Sequence, residues 1–145
     1  MRNRVLVMHG VNLDALDRRP AEHYGGLTFA RLEIRIGQFA RELGLEARFF
    51  QTNFEGEFVE ELHRAGDYSD GLVLNPGAWT HYSWAIRDAL EVAGLPAVEV
   101  HLSDVAGREE WRRVSVVRDL CVGSVAGLGV EGYREGLEQL RAALA

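Results

Sequence analysis

The sequence holds one cysteine, Cys121, so no disulfide can form within the chain and a reducing compartment is the simpler setting. Long apolar runs are missing. The run nearest the N-terminus, Val5–Met8 and on to His9, is too brief for a signal peptide or a membrane span. Positive charge is in deficit, with 16 Lys+Arg against 22 Asp+Glu and a formal charge of −6. Such a surface lacks the basic field that general nucleic-acid or anionic-membrane binding requires, although a pocket within it can be locally basic. The five histidines, at positions 9, 23, 63, 81 and 101, show no metal-ligand spacing, and no second cysteine is present, so no metal is expected. A Walker-type phosphate loop and a G-x-S-x-G elbow are also absent. Gly127-Leu-Gly-Val-Glu-Gly132 matches the dinucleotide fingerprint, but the 13 residues after it are too few for the next strand and its acidic ribose ligand. It reads as a tight strand-to-helix turn. A soluble, cytoplasmic protein is expected.

What is present is ordinary globular material. Of 145 residues, 47% are hydrophobic and 26% charged, enough for a core in a single domain spanning 1–145. Short β-rich runs occur at Arg4–Met8, Leu45–Phe50, Gly71–Leu74, Ala97–Val100 and Ser124–Leu128. Helical periodicity lies between them. Phe29, Leu32, Ile36, Phe39 and Leu43 recur every three or four residues, with Thr28 as N-cap and Gly44 as stop. Phe58, Leu62 and Ala65 mark a second helix halting at Gly66, and Ala85, Ile86, Ala89, Leu90 and Ala93 a third ended by Gly94. Tyr133, Leu137, Leu140 and Leu144 mark the last. Five strands alternating with four helices predict an α/β sandwich with a five-stranded parallel sheet covered on both faces. Asp17–Leu27 has no clear periodicity and reads as a mobile loop, of the kind that forms lids.

Polar clusters follow four of the strands. They are His9-Gly10-Val11-Asn12, Gln51-Thr52-Asn53, Asn75-Pro76-Gly77 and His101-Leu102-Ser103. In open α/β sheets the carboxyl edge of the strands is where ligands bind, so these clusters predict a site there. Alternation puts Glu99 and His101 on one side of their strand. A carboxylate beside an imidazole fixes its tautomer and suits it as a general acid, and Glu99 in an apolar strand demands such a partner. Taken alone, His101 could simply finish a strand. Arg108, Arg112 and Arg113 could pair with Glu109 and Glu110 on a solvated helix, or turn inward to hold an anion.

In this order and spacing, the clusters resemble type II 3-dehydroquinate dehydratase from Val5 to about Leu140. The most specific segments are Asn75-Pro-Gly-Ala-Trp-Thr-His81, Ala85-Ile-Arg-Asp-Ala-Leu90 and Val98-Glu-Val-His-Leu-Ser103. Gln51-Thr-Asn53 with Glu55-Gly56, and Arg19 through Tyr24-Gly25, match as well. The resemblance implies a flavodoxin-like three-layer sandwich, no metal or cofactor, and a dodecamer built from trimers. It implies anti elimination of water from 3-dehydroquinate through an enolate, in aromatic biosynthesis or quinate breakdown. Tyr24, as tyrosinate, would take the C2 proton, with Arg19 and Arg108 favouring the anion. An ordinary tyrosine ionises near 10, so a neutral-pH base needs about 4 kcal/mol of help, the order that two adjacent cations supply. Asn12 would hold the water facing the enolate oxygen. His101, oriented by Glu99, would protonate the departing C1 hydroxyl. Asn75, His81 and Arg112 would bind substrate hydroxyls, the Leu102 and Ser103 amides the carboxylate, and Asp88 would reach a neighbouring subunit's site. The chain departs from the family pattern at Val11, Asp14, Asp17, Pro20, Phe54, Asp104, Ala106, Gly107 and Val114. The alternative reading is a non-catalytic paralogue that binds a related hydroxylated cyclic acid. A flavin-binding electron carrier is a third, resting on fold analogy alone.

Overall fold

The computed structural model describes residues 1–145. Its strands are β1 (Arg4–His9), β2 (Glu46–Gln51), β3 (Gly71–Asn75), β4 (Ala97–His101) and β5 (Gly123–Ala126). They form one sheet in the order β2-β1-β3-β4-β5, every pair parallel. Parallel neighbours require crossovers. These carry the short α1 (Ala21–Tyr24), then α2 (Phe29–Glu42), α3 (Glu55–Arg64) and α4 (Trp84–Ala93), and α5 (Glu131–Leu144) follows β5.

Strand alternation divides the core in two. Val5 and Val7 pack with Leu32, Ile36 and Phe39 of α2 and Tyr133, Leu137 and Leu140 of α5. Leu6 and Met8 face the other way, onto Phe58 and Leu62 of α3 and Ile86 and Leu90 of α4. The result is a flavodoxin-like α/β sandwich. Local chemistry sets the helix ends. Thr28 Oγ1 accepts the Arg31 amide at 3.2 Å and Ser83 Oγ the Ile86 amide at 3.1 Å. Gly44 and Gly94, at φ 73° and 63°, release the chain from α2 and α4 in a left-handed turn. No helix is long and apolar enough to cross a membrane.

Three expectations need refinement. The sheet is covered on both faces, but its outer strands more thinly than their neighbours: no residue of β2 is fully buried, although Ala47 and Phe49 pack on one core and Phe50 on the other, and Val125 alone is buried in β5. Edge position explains this, since each has one neighbour and the helices lie over the sheet centre. β5 also ends at Ala126, because Gly127 at φ 80° turns the chain out. Second, α3 starts three residues before Phe58, and Gly66 sits inside a following 3₁₀ turn, Ala65–Asp67. Third, the aperiodic stretch Asp17–Leu27 is built from regular turns. Its first two residues end a 3₁₀ segment, Leu13–Arg18, that leads into α1, where Tyr24 is buried.

Sequence order reverses between β1 and β3, since the chain crosses to β2 on one side and later to β3 on the other. That is where a parallel sheet opens a crevice at its carboxyl edge. Two glycines close the strand ends together. A Cβ on Gly10 would overlap the Pro76 carbonyl, and one on Gly77 would stand 2.6 Å from the Val11 carbonyl oxygen.

Candidate active site

The turns after β1, β3 and β4 surround a pocket at this crevice. Pro20, with φ at −54°, starts α1, and Gly25 and Gly26 at φ 70° and 66° end it. Held between these points, Tyr24 turns its ring into the core and its hydroxyl to the pocket. Arg108 Nη1 donates to that hydroxyl at 2.6 Å and to Ser103 Oγ at 3.2 Å. The Arg19 guanidinium carbon lies 4.2 Å from the centre of the Tyr24 ring, and that of Arg108 5.3 Å. Arg112 also lines the pocket, steadied by Glu109 Oε2 at 3.0 Å. Burial, followed by repulsion from Arg108 and Arg112, pulls Arg19 below the usual arginine value, against the attraction of Tyr24. Guanidiniums crowded in this way favour an anion between them. Arg108 Nε, buried and without a hydrogen-bond partner, adds an unspent donor.

Opposite chemistry stands at the end of β4. Glu99 is fully buried, and its Oε2 lies 2.6 Å from His101 Nε2. Its other oxygen accepts from Ser115 Oγ at 3.1 Å and lies 3.4 Å from Arg118 Nε. Burial opposes charge on Glu99. The His101 hydrogen bond and charge, then Arg118 and Ser115, outweigh it and hold the carboxyl below the ordinary carboxylate value. An ionised Glu99 accepts the hydrogen on His101 Nε2, so Nδ1 is the ring nitrogen left to the pocket. His81 lies beside it, with ring centres 6.2 Å apart and planes 22° off parallel. His81 Nδ1 donates to the Val114 carbonyl at 2.6 Å, leaving Nε2 as an acceptor. Burial keeps His81 below the ordinary imidazole value. The departure at Val114 costs nothing here, because the contact comes from its backbone. Asp14 is absorbed similarly, accepting from Asn53 Nδ2 at 3.1 Å while Asn53 Oδ1 receives the Asn12 amide at 2.8 Å.

Of the twelve residues expected at the site, Tyr24, Arg19, Arg108, His101, Asn75, His81, Leu102, Ser103 and Arg112 line this pocket. Glu99 supports it from below. Asn12 lies outside the lining, exposed and in a left-handed turn at φ 69°. Asp88 is also outside, exposed on the outer side of α4. The arginine run resolves into two inward residues and one outward, Arg113, which donates to the Ala106 carbonyl at 3.2 Å. It lies on 3₁₀ turns, Val105–Gly107 and Glu110–Arg113, and not on a helix.

Sequence reasoning missed the layer beneath. Ser115 and Arg118 hold Glu99, and Tyr133 accepts from Asn75 Nδ2 at 3.0 Å and bonds His9 Nε2 at 2.8 Å. Burial pushes His9 down to about 3, from 6.5 for a free imidazole. The unfolded chain therefore binds a proton there that the folded chain refuses. Its stabilising effect is complete above 6.5 and lost as pH falls from 6.5 toward 3. Between pH 6.5 and 5 the loss should be about 2 kcal/mol, at 1.36 kcal/mol per unit. His81 acts in the same direction. Urea unfolding at the two pH values should show this decline in the parent and a much smaller one in His9→Gln.

The chain matches the family model described as Dehydroquinase class II over residues 3–141. It is 49% identical over 138 residues to the 3-dehydroquinate dehydratase of Thermotoga neapolitana, covering 95% of this chain and 94% of that one. Its identity to the 3-dehydroquinate dehydratase of Pelotomaculum thermopropionicum is 44%, over 98% of this chain and 96% of the relative. The crystal structure of type II dehydroquinase from Butyrivibrio crossotus matches with a TM-score of 0.92 at 37% identity, across 97% of this chain and 98% of that chain. That from Propionibacterium acnes matches at 0.90 and 41%, over 98% of both chains. A pocket lined by arginines, a tyrosine and a carboxylate-held histidine thus sits in a fold and a sequence shared from end to end, and the chain belongs to the class II dehydroquinase family.

Proposed function

We propose that the protein is a hydro-lyase that removes water from 3-dehydroquinate to give 3-dehydroshikimate. The observation that carries this reading is the Tyr24 hydroxyl held by Arg108 at 2.6 Å under the Arg19 guanidinium, in one pocket with an imidazole clamped by a buried carboxylate. Tyr24, as phenolate, takes the C2 proton, and the C–H electrons pass to the ketone oxygen as an enolate. Collapse of the enolate expels the C1 hydroxyl, which leaves as water with the proton from His101 Nδ1. Tyr24 then holds one proton more and His101 one fewer, and a proton returned between them restores the site. The sequence contains no lysine, so no side-chain amine is at hand to condense with the ketone, which favours the enolate route. Arg112, His81 Nε2 and Asn75 bind hydroxyls, and the Leu102 and Ser103 amides bind the carboxylate. Asn12, next in sequence to the lining residue Leu13, holds the water facing the enolate oxygen once the segment carrying Tyr24 closes over ligand. No cofactor takes part.

The subunit acts within a homo-oligomer, a dodecamer of trimers in the cytoplasm, as one catalytic domain. Asp88 serves the neighbouring subunit's site. Supporting this, Trp84 and Val92, one turn to either side of it on α4, are 65% and 68% exposed and make an apolar stripe suited to burial against another copy. Incubation of the purified protein with 3-dehydroquinate should build the ultraviolet absorbance of the conjugated enone. Tight ligand binding without that absorbance would overturn the enzyme reading and leave the non-catalytic binder in its place.

A further inference from the structure

His9 lies outside the pocket, yet it ends β1 directly beside the substrate-facing turn, its Cα paired with that of Asn75 in the sheet. Three fully or almost fully buried polar side chains meet there: His9 and Tyr133 at 0% exposure and Asn75 at 4%. The hydrogens can be assigned one at a time. The Gly77 amide donates to Asn75 Oδ1 at 3.3 Å, which turns the Asn75 nitrogen toward Tyr133. Asn75 Nδ2 donates to the Tyr133 oxygen at 3.0 Å. The tyrosine hydroxyl has a single hydrogen, and the remaining partner is His9 Nε2 at 2.8 Å. His9 must therefore accept at Nε2 and carry its own hydrogen on Nδ1. That nitrogen is buried and has no hydrogen-bond partner. The imidazole meets the Phe29 ring at 90°, with centres 5.2 Å apart. An apolar residue would fill this place without orphaning a donor. What the imidazole supplies in return is the acceptor that fixes the direction of the chain.

We propose that His9, through Tyr133, is a positioning residue for Asn75, setting which amide atoms Asn75 offers to a substrate hydroxyl. With Oδ1 engaged by Gly77 and one N–H by Tyr133, the Asn75 amide keeps one N–H and one lone pair for the pocket it lines. Without an acceptor at position 9, the Tyr133 proton has only Asn75 Oδ1 to turn to. Satisfying it there reverses the amide and sets its NH₂ against the Gly77 N–H. The side chain then loses its single orientation, and substrate binding weakens. This role rests on the dehydratase reading of the pocket.

The test separates the two. Isotope-edited NMR of the parent without substrate should show His9 neutral with its proton on Nδ1 between pH 8 and 5. A proton on Nε2 would overturn the proposal whatever the protein catalyses. In turnover of 3-dehydroquinate, His9→Leu and Tyr133→Phe should each raise KM about 5- to 20-fold with kcat within about threefold, since an interaction shared by ground and transition states is lost. His9→Gln, whose amide oxygen can reach the same hydroxyl, should restore KM to within about twofold. The double variant His9→Leu/Tyr133→Phe should be no worse than either single one, because both break the same chain. An unchanged KM in Tyr133→Phe, which keeps the buried ring, or a loss in His9→Gln equal to that in His9→Leu, would overturn it. An inactive parent would remove the dehydratase reading while the tautomer still decided the hydrogen-bond chain.

Discussion

Tyr24→Phe should abolish most turnover and leave ligand binding almost intact. The ring is 8% exposed and packs among the buried residues of the α2–α5 side, so phenylalanine preserves the contacts that hold α1 in place. Only the hydroxyl is lost, and Arg108 keeps its bond to Ser103 at 3.2 Å. A general base contributes about 10²–10⁴-fold to rate, and kcat should fall by at least that factor. Steady-state kinetics beside calorimetric binding of a substrate-like carboxylate separates the two quantities. Parent-like turnover in the variant would remove Tyr24 from the mechanism, even with the substrate correct.

The second large effect belongs to His101→Ala, and it should appear in both rate and stability. Losing the acid should again lower kcat by about 10²–10⁴-fold. The same change strips Glu99 of its 2.6 Å partner while the carboxylate remains fully buried. Breaking a buried pair from one side costs about 3–5 kcal/mol, and Ser115 and Arg118 bring this case to the lower end, about 3 kcal/mol. Adding Glu99→Gln removes the stranded charge, so His101→Ala/Glu99→Gln should unfold at higher urea than His101→Ala alone, with no recovery of rate. Equal unfolding midpoints for the single and double variants would show that the carboxylate does not depend on His101.

Which parts of this arrangement were legible beforehand follows from the range of each signal. Thr28, Gly44 and Gly94 act within a turn of their own helices, so their meaning survives without a structure. The Glu99–His101 pair was legible for a similar reason, since two residues apart on a strand share a face. The covering of β2 and β5 was not, because edge position depends on which strands end up as neighbours. Nor was the course of residues 13–24, where a 3₁₀ segment and a four-residue helix are too short to show a period. The supports under the site were least visible. Tyr133 fits the apolar repeat of α5 like any core residue, and its partner His9 lies 124 positions away. Ser115 and Arg118 sit on a stretch with no repeat at all. Arg108 and Arg112 could be narrowed to a choice between solvent and pocket, and packing against Tyr24, Ser103 and Glu109 made that choice.

The interlock of Gly10 with Pro76 and of Gly77 with Val11 bears on how accurately the site is built. Gly10 has no left-handed φ to demand glycine, so space alone reserves its position, whereas Gly77 at φ 66° is reserved by conformation and by space together. Backbone resting on backbone has no rotamers, and the separation of these two turns cannot drift as it would across a pair of flexible side chains. Tolerance at this corner is thereby set by covalent geometry and hard contact. Asn75 hangs from one side of the joint and the base of the Tyr24-bearing segment from the other, so both start from a common datum before any ligand arrives.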